Sequence, residues 1–538
     1  MRKFTRLTTL AMFGAMVIGA TGCASERGPA DLVLWHNFGA AYTKDMNDSF
    51  IDPIWENDHL NVKSTSKGSY QGILEAVSGT LSTRDFPNVA TGYPDHLSTY
   101  ARSGYPKSPT GVLLNLNTYL DDPTLAAEHK AKTGYTFRED FYEEYMTENN
   151  TICYDDNDKQ LTVGLPFNKS TEVVGYNGIF MDYAKSKDET LKVPTTWAEW
   201  KVMGPKFRKL QMELNGKYLC GTKNEEGTAS GFHVETTEKD DVLLDFTEAK
   251  DEETAVLSWD SMANMFITLV RQFDGVFTSY TEEDRKQTQI TDRHGYMEFY
   301  SGDNKAKTVA AMQLVRDLSG DPTKPEERIF ATPTFFGGSY ASDAFAENKV
   351  LFTVCSTGGL SYNLNDGQRF RVAPVPYTDA DHKYVISQGA NMTIFRRNCI
   401  EQPDKYTLDE MSKLAFETVI KMTTGDYQAK WATLTGYYPA SRSAAGSVIY
   451  KEFINGTPDY SDIVATAYRE GAQLNEKEYM NKENHWIKFV DPGFDGSATI
   501  RDKADKIIPS IINDIDKTID EVLTAVYNDS SLKKFVRS

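Results

Sequence analysis

The sequence predicts an α/β protein built of more than one lobe, and three observations carry that prediction. The chain has 538 residues, more than one hydrophobic core organises, since single cores stop growing near about 250–300 residues. Strand-like and helix-like segments alternate from residue 31 onward, the order that yields a mainly parallel sheet with helices on its faces. The strand-like runs end in polar clusters, at the carboxyl ends where such sheets hold ligands.

The elements follow in order. DLVLWHNF (31–38) reads as a buried strand, followed by a polar helix-like segment and the strand LNVKST. SYQGILEAVSGTLST places Ile73, Leu74, Val77 and Leu81 on one helical face. FPNVATGYP is a strand and a loop. PTTWAEWKVMGPKFRKLQ is a turn into an amphipathic helix, with Thr196 and Glu199 spaced as a capping box. SWDSMANMFITLVRQFDG reads as a helix and NKVLFTVCSTGGLSYNL as a strand ending in a small polar turn. FRVAPVPY and YVISQGANMTIF read as strands, and LDEMSKLAFETVIKMTTGDYQAKWATLTGYYPASRSA as two helices and a loop. The C-terminal stretch from Ala498 carries helical periodicity at Ile507, Ile508, Ile511, Ile515, Ile519 and Val522. Residues 217–256 and 278–305 are more polar and less regular, and read as surface elaborations.

Composition excludes several classes. Lys and Arg number 58 against 77 Asp and Glu, a net charge of −19; such an acidic chain repels nucleic acid and anionic lipid. The amino terminus has the three-part pattern of a secretory signal: MRKFTR with three cations, the uncharged LTTLAMFGAMVIGA, then TGCAS. The uncharged run falls short of the ~20 residues that span a bilayer. ATGC resembles a bacterial lipobox, although Ala20 stands where Leu is usual; the expectation is cleavage after residue 22 and lipid on Cys23. An odd total of five cysteines fits that use of one. Cys153, Cys220, Cys355 and Cys399 remain, at spacings that match no zinc motif, as buried thiols or as one or two disulfides.

Catalytic signatures are absent: no HExxH, no GxSxG, no phosphate-binding loop and no dinucleotide fingerprint. DDNDKQ (155–160) has calcium-like carboxylates without the glycine and terminal glutamate of a calcium loop. The expectation is a protein with no cofactor, no metal and no catalysis of its own.

PFNKSTEVVGYN, PTTWAEW, VLFTVCSTGG, QGANMTIF and TLTGYYPASRSA occur in that order behind the lipobox. The ordered set resembles family 1 of the bacterial extracellular solute-binding proteins, receptors of ATP-driven importers for carbohydrates and glycerol phosphates. The resemblance implies a two-lobe, periplasmic-binding-protein-like fold of type II, with strands crossing between lobes and solute held in the cleft. It assigns 31–166 plus 397–438 to the first lobe and 167–396 plus 439–538 to the second, after a leader at 1–22 and a lipid-anchored linker at 23–30. It implies a monomer that meets a small carbohydrate and the importer's permease subunits, and meets the membrane only through lipid.

On this reading VGLPFNKSTEVVGYN (163–177) is a crossing. An apolar run is interrupted by hydroxyls and amides because the backbone there faces ligand and water. Ser170 and Thr171 would meet a sugar as donor or acceptor. Tyr437 matches a tyrosine on the family's last crossing, and Tyr70 one that reaches the cleft from a helix start. Trp35 and His36 end the first strand. Ser356, Thr357 and Gly358 end a strand of the second lobe. Gly389 admits close approach of backbone to solute. Arg501 matches a ligand-binding arginine of the glycerol-phosphate branch, and Tyr93 and Asp95 lie where that branch has an acidic residue. Closure of the lobes on solute would present the protein to the permease.

Overall fold

The computed structural model describes residues 27–537 apart from 104–107, 150–151, 156, 158, 225–226, 287–293, 366–368 and 458–461. The leader and Cys23 lie outside the described residues. Among the described residues, eleven strands build two principal sheets: β1 (Leu32–His36), β2 (Val62–Ser66), β3 (Val89–Gly92), β4 (Leu165–Pro166), β5 (Ser170–Asn177), β6 (Ala255–Trp259), β7 (Val350–Ser356), β8 (Phe370–Pro374), β9 (Tyr384–Gln388), β10 (Asn391–Ile394) and β11 (Ile487–Phe489).

The first sheet has the order β2-β1-β3-β10-β4, and the second β6-β7-β5-β9-β11 with β8 also on β5. In the first, β1 is parallel to β2 and β3, while β10 runs antiparallel to β3 and β4. In the second, β6 is parallel to β7 and β9 to β11, while β5 runs antiparallel to β7, β8 and β9. Each sheet is therefore parallel except for one strand. In both cases the reversed strand is the one the chain enters on crossing from the other sheet.

Three crossings lie side by side. Phe167–Lys169 carries the chain from β4 to β5, and Gly389–Ala390 carries it back from β9 to β10. The third runs through Tyr438, whose backbone N–H donates to the Lys169 carbonyl at 2.6 Å. Gly389 has φ +125°, and a Cβ built on it would lie 1.4 Å from the Asn168 carbonyl oxygen. Only glycine permits the first two crossings to touch. The chain re-enters the first sheet at Asn391, so residues 391–396 leave the second lobe, where the sequence placed them. QGANMTIF reads as one unbroken strand, and the break at Gly389 is a backbone conformation with no signature in hydrophobicity.

The helices are fixed locally before they pack. α1 (Tyr70–Thr80) starts at Ser69, whose hydroxyl accepts from the Gly72 N–H, and it buries Ile73 and Val77. α2 (Pro94–Arg102) opens with proline directly after β3. α3 (Trp197–Leu214) carries the Thr196/Glu199 capping box read from the sequence. α4 (Met262–Gln272) is shorter than the sequence suggested, because Ser258 and Trp259 belong to β6. α5 (Leu408–Thr423), α6 (Gly425–Thr435) and α7 (Ile463–Leu474) follow. The periodic C-terminus divides into α8 (Ser497–Ala504), α9 (Ile507–Asn513) and α10 (Ile519–Tyr527). Pro509 accounts for the first division: it has no N–H to donate back, and its ring collides with the carbonyl four residues earlier.

Separate apolar cores lie against the two sheets. Leu34, Phe50, Phe167, Met392 and Trp431 belong to the first, and Val174, Trp200, Phe207, Phe352 and Ile507 to the second. Residues 217–256 are more regular than their composition suggested. They contain a three-stranded antiparallel sheet of Tyr218–Lys223, Ala229–Glu235 and Val242–Asp245. A sheet with one solvated face reads as polar. The four described cysteines are free and buried. Asp155, first of the calcium-like run, accepts from the Asn157 and Lys159 backbone N–H groups and so braces its own turn.

Candidate functional site

The crossing bundle forms the floor of the inter-lobe cleft. Lys169 is fully buried and pairs with the Glu148 carboxylate, whose other oxygen accepts from Ser387 Oγ at 3.0 Å. Burial pushes the Glu148 carboxyl upward, and Lys169 opposes that shift. α6 clamps the first crossing: Gln428 donates to the Phe167 carbonyl (2.8 Å) and Trp431 Nε1 to Asn168 Oδ1 (2.8 Å).

Above this floor lies a partly enclosed cavity of about 80 Å³. The first lobe contributes Tyr93 and Asp95; the second contributes Ser387, Gln388, Asp491 and Arg501. Ile267, Phe277, Ile386 and Pro492 supply apolar wall. Asp95 accepts from the His96 backbone N–H at 2.9 Å, at the start of α2. Arg501 is aimed by a relay in which its guanidinium donates to Asn264 Oδ1, while Asn264 donates to Glu172 Oε1 at 2.7 Å. Burial raises the Glu172 carboxyl to about 7, against the hydrogen bond from Asn264.

Asp491 is the singular group of this wall. Neither of its oxygens accepts a hydrogen bond among the described residues, nor does Gln388 Nε2 donate one. Arg271 stands 3.8 Å from Asp491 Oδ1. Burial raises the Asp491 carboxyl to about 6, with Arg271 and Arg501 pulling the other way. A buried polar group without a partner costs about 1–3 kcal/mol, more when charged, which ligand hydroxyls would recover.

A tyrosine cluster adjoins the cavity. The rings of Tyr70 and Tyr93 lie 4.3 Å apart, and the Tyr70 hydroxyl sits beside those of Tyr93 and Tyr437. The Tyr437 ring rests on Gly358, where a Cβ would approach it to 2.5 Å. Burial raises all three phenols well above their ordinary range.

The sequence-predicted residues thus divide. Tyr93, Asp95, Gly389 and Arg501 line the cavity, and Tyr70, Tyr437 and Gly358 form the adjoining cluster. Ser170 and Thr171 are buried at the start of β5, just past the crossing, with Ser170 paired to Gln388 and Thr171 Oγ1 3.3 Å from the Tyr438 hydroxyl. Thr357 is buried beside the half-buried Ser356 at the end of β7. Trp35 lies half-buried under the Lys67 ammonium, 3.7 Å from its ring centre. His36 is in the first core, stacked on Phe38 at 5.2 Å and accepting the Phe38 N–H on Nδ1; burial lowers its pKa to about 4. Gln388, Asp491 and Glu148 were not foreseen.

Contacts across the cleft hold the lobes together. The Tyr42 hydroxyl donates to the Gly358 carbonyl at 3.0 Å and lies 3.2 Å from the Tyr468 hydroxyl. Arg102 pairs with Asp495, and a Cβ on Gly493 would fall 2.8 Å from Pro94. The described arrangement is closed.

Two α/β lobes, three crossings and an amphipathic cavity between the lobes define a solute-binding architecture. The chain belongs to the bacterial extracellular solute-binding proteins, whose family model matches residues 50–455. Solved structures share this fold along nearly the whole chain. UgpB from Mycobacterium tuberculosis, in complex with glycerophosphocholine, is 15% identical with a TM-score of 0.59, covering 94% of this chain and 98% of that one. The ABC substrate-binding protein Lmo0181 from Listeria monocytogenes, in complex with cycloalternan, is 12% identical with a TM-score of 0.60, covering 95% and 100%. The cyclic alpha-maltosyl-1,6-maltose binding protein from Arthrobacter globiformis is 14% identical with a TM-score of 0.57, covering 94% and 99%. No curated protein matches the chain in sequence. The family and these neighbours are named as binding proteins.

Proposed function

We propose that the protein is an extracytoplasmic receptor that captures a carbohydrate, an oligosaccharide or related polyol, and delivers it to an ATP-driven membrane importer. The observation that carries this reading is the wall formed by Asp95 and Asp491 across from apolar and aromatic surface. A sugar ring has an apolar CH face and a rim of hydroxyls. Ile267, Phe277 and Tyr93 match the face, and the unpartnered oxygens of Asp491 match the rim. Asp95 and Asp491 offer acceptors to hydroxyl donors, and Arg271 and Arg501 stand beside Asp491.

Solute binds one lobe first and meets the second on closure, so it shifts the population toward the closed form. The closed form docks on permease subunits, and ATP is hydrolysed elsewhere. The leader and ATGC support export with a lipid on Cys23. Among the described residues no helix is long and apolar enough to cross a membrane; the proposal is a monomer that meets the membrane through the lipid. A thermal-shift screen over neutral saccharides, polyols and their phosphates tests the reading. It predicts that a neutral saccharide raises the melting temperature, because ligand binds only the native state; a shift with phosphorylated compounds alone contradicts it.

A further inference from the structure

The three-stranded sheet of the second lobe brings together three residues that the cleft does not use. Cys220 lies on its central strand, Tyr218–Lys223, directly opposite His233 on one neighbouring strand. On the other side it opposes Val242, the residue after Asp241. Cross-strand partners project on the same face of a sheet. Both pairings shift register here, between Cys220 and Thr222 and between Val242 and Leu244, and such bulges re-aim side chains. The Gly221 N–H holds the Asp241 carbonyl at 3.0 Å. One ligand atom each from Cys220, His233 and Asp241 lies within 4.8 Å of the others, with His233 Nε2 3.4 Å from Asp241 Oδ2.

We propose that Cys220, His233 and Asp241 form a binding site for a zinc-like divalent cation on this sheet. The donor set is thiolate, imidazole and carboxylate, which zinc takes in tetrahedral geometry with a water in the fourth position. Bonds of about 2.0–2.3 Å place tetrahedral ligands about 3.3–3.8 Å apart, so the side chains need only a small contraction. His233 Nδ1 lies 3.5 Å from the Gly231 carbonyl. A proton on Nδ1 donated to that oxygen leaves the Nε2 lone pair toward Cys220 and Asp241, as a metal-binding histidine requires.

The bland alternative is a surface His–Asp pair that happens to cover a buried thiol. Burial, Asp241 and Glu235 raise the Cys220 thiol above its usual range; a cation reverses that balance by accepting the thiolate, whose proton passes to solvent. The site lies outside the cavity lining. Its occupant would staple three strands together and would leave solute binding untouched.

The test uses the untagged mature chain, stripped with chelator and titrated with zinc chloride, then with cobalt as a spectroscopic substitute. The expected result is one equivalent bound, a sulfur-to-cobalt charge-transfer band, and a raised melting temperature with zinc. Cys220→Ser removes the band and weakens binding by about a hundredfold. His233→Ala, an exposed position, weakens binding comparably without risk to folding and covers the case in which Cys220→Ser does not fold. Absence of stoichiometric binding, a cobalt complex without the sulfur band, or unchanged binding in His233→Ala overturns the proposal.

Discussion

Two buried charged sites lie within reach of each other and are built on opposite principles. In the crossing bundle, Lys169 and Glu148 satisfy each other, and Ser387 and the Gly389 carbonyl complete their surroundings. In the cavity wall, Asp491 is buried with no hydrogen-bond donor among the described residues. The comparison separates structure from recognition. The Lys169–Glu148 charge is neutralised in hydrogen-bonded contact, whereas Asp491 has the Arg271 guanidinium at 3.8 Å but no hydrogen-bond donor among the described residues. On the proposed function a ligand would supply those donors.

The largest effect is expected where the bundle is tightest. Gly389→Ala puts a Cβ 1.4 Å from a carbonyl oxygen at φ +125°, and it should cost at least about 3 kcal/mol or prevent folding. Circular-dichroism melting measures this, and a near-native melting temperature would break the account of the bundle. Next comes Glu148→Gln, which strands Lys169 in the interior and should cost about 3–5 kcal/mol. The double change Glu148→Leu with Lys169→Met should recover most of that loss, because no charge is then left unpaired.

On the cavity side the signs differ. Asp491→Asn should leave the melting temperature of the ligand-free protein unchanged or raised, yet weaken saccharide binding about 10–100-fold, as expected for a lost hydrogen bond to a charged group. The pH dependence sharpens the point. Asp491 and Glu172 are raised to about 6 and about 7 in the folded protein. Raised folded-state values mean that the native state holds these protons more tightly than the unfolded chain. That stabilisation is complete below the ordinary carboxylate range, about 4, and is lost as pH climbs to about 7. Ligand donors to ionised Asp491 work in the opposite sense, so affinity should rise with pH until about 6 is passed. Calorimetric titration from pH 5 to pH 8 should show this rise in the wild type and a flatter profile in Asp491→Asn. The smallest effect belongs to the rim: Arg102→Ala removes a partly exposed inter-lobe pair and should weaken binding by no more than about fivefold.

The sequence revealed the architecture more readily than the site, for physical reasons. Strand and helix alternation, the Thr196 capping box and the polar interruption after Pro166 are local signals, and each appears where its residues placed it. Ser170 and Thr171 were legible as crossing residues because hydroxyls broke an apolar run; that both are buried in strand pairing depends on Gln388 and Tyr438, far away in the chain. His36 ends a strand as a ligand-facing residue would, but it is buried and stacked on Phe38. Asp491 lies in VDPGFDG, an aperiodic loop among many acidic residues, and only burial distinguishes it. Cys220, His233 and Asp241 match no spacing motif because a sheet register, rather than a helix turn, brings them together.

The central claim is that solute closes the cleft between the lobes. Small-angle scattering on the mature chain, with and without the saccharide selected by the thermal-shift screen, tests it most directly. The account predicts a smaller radius of gyration at saturating ligand, matching the closed arrangement described here. An unchanged radius, with binding verified by calorimetry in the same sample, would contradict it.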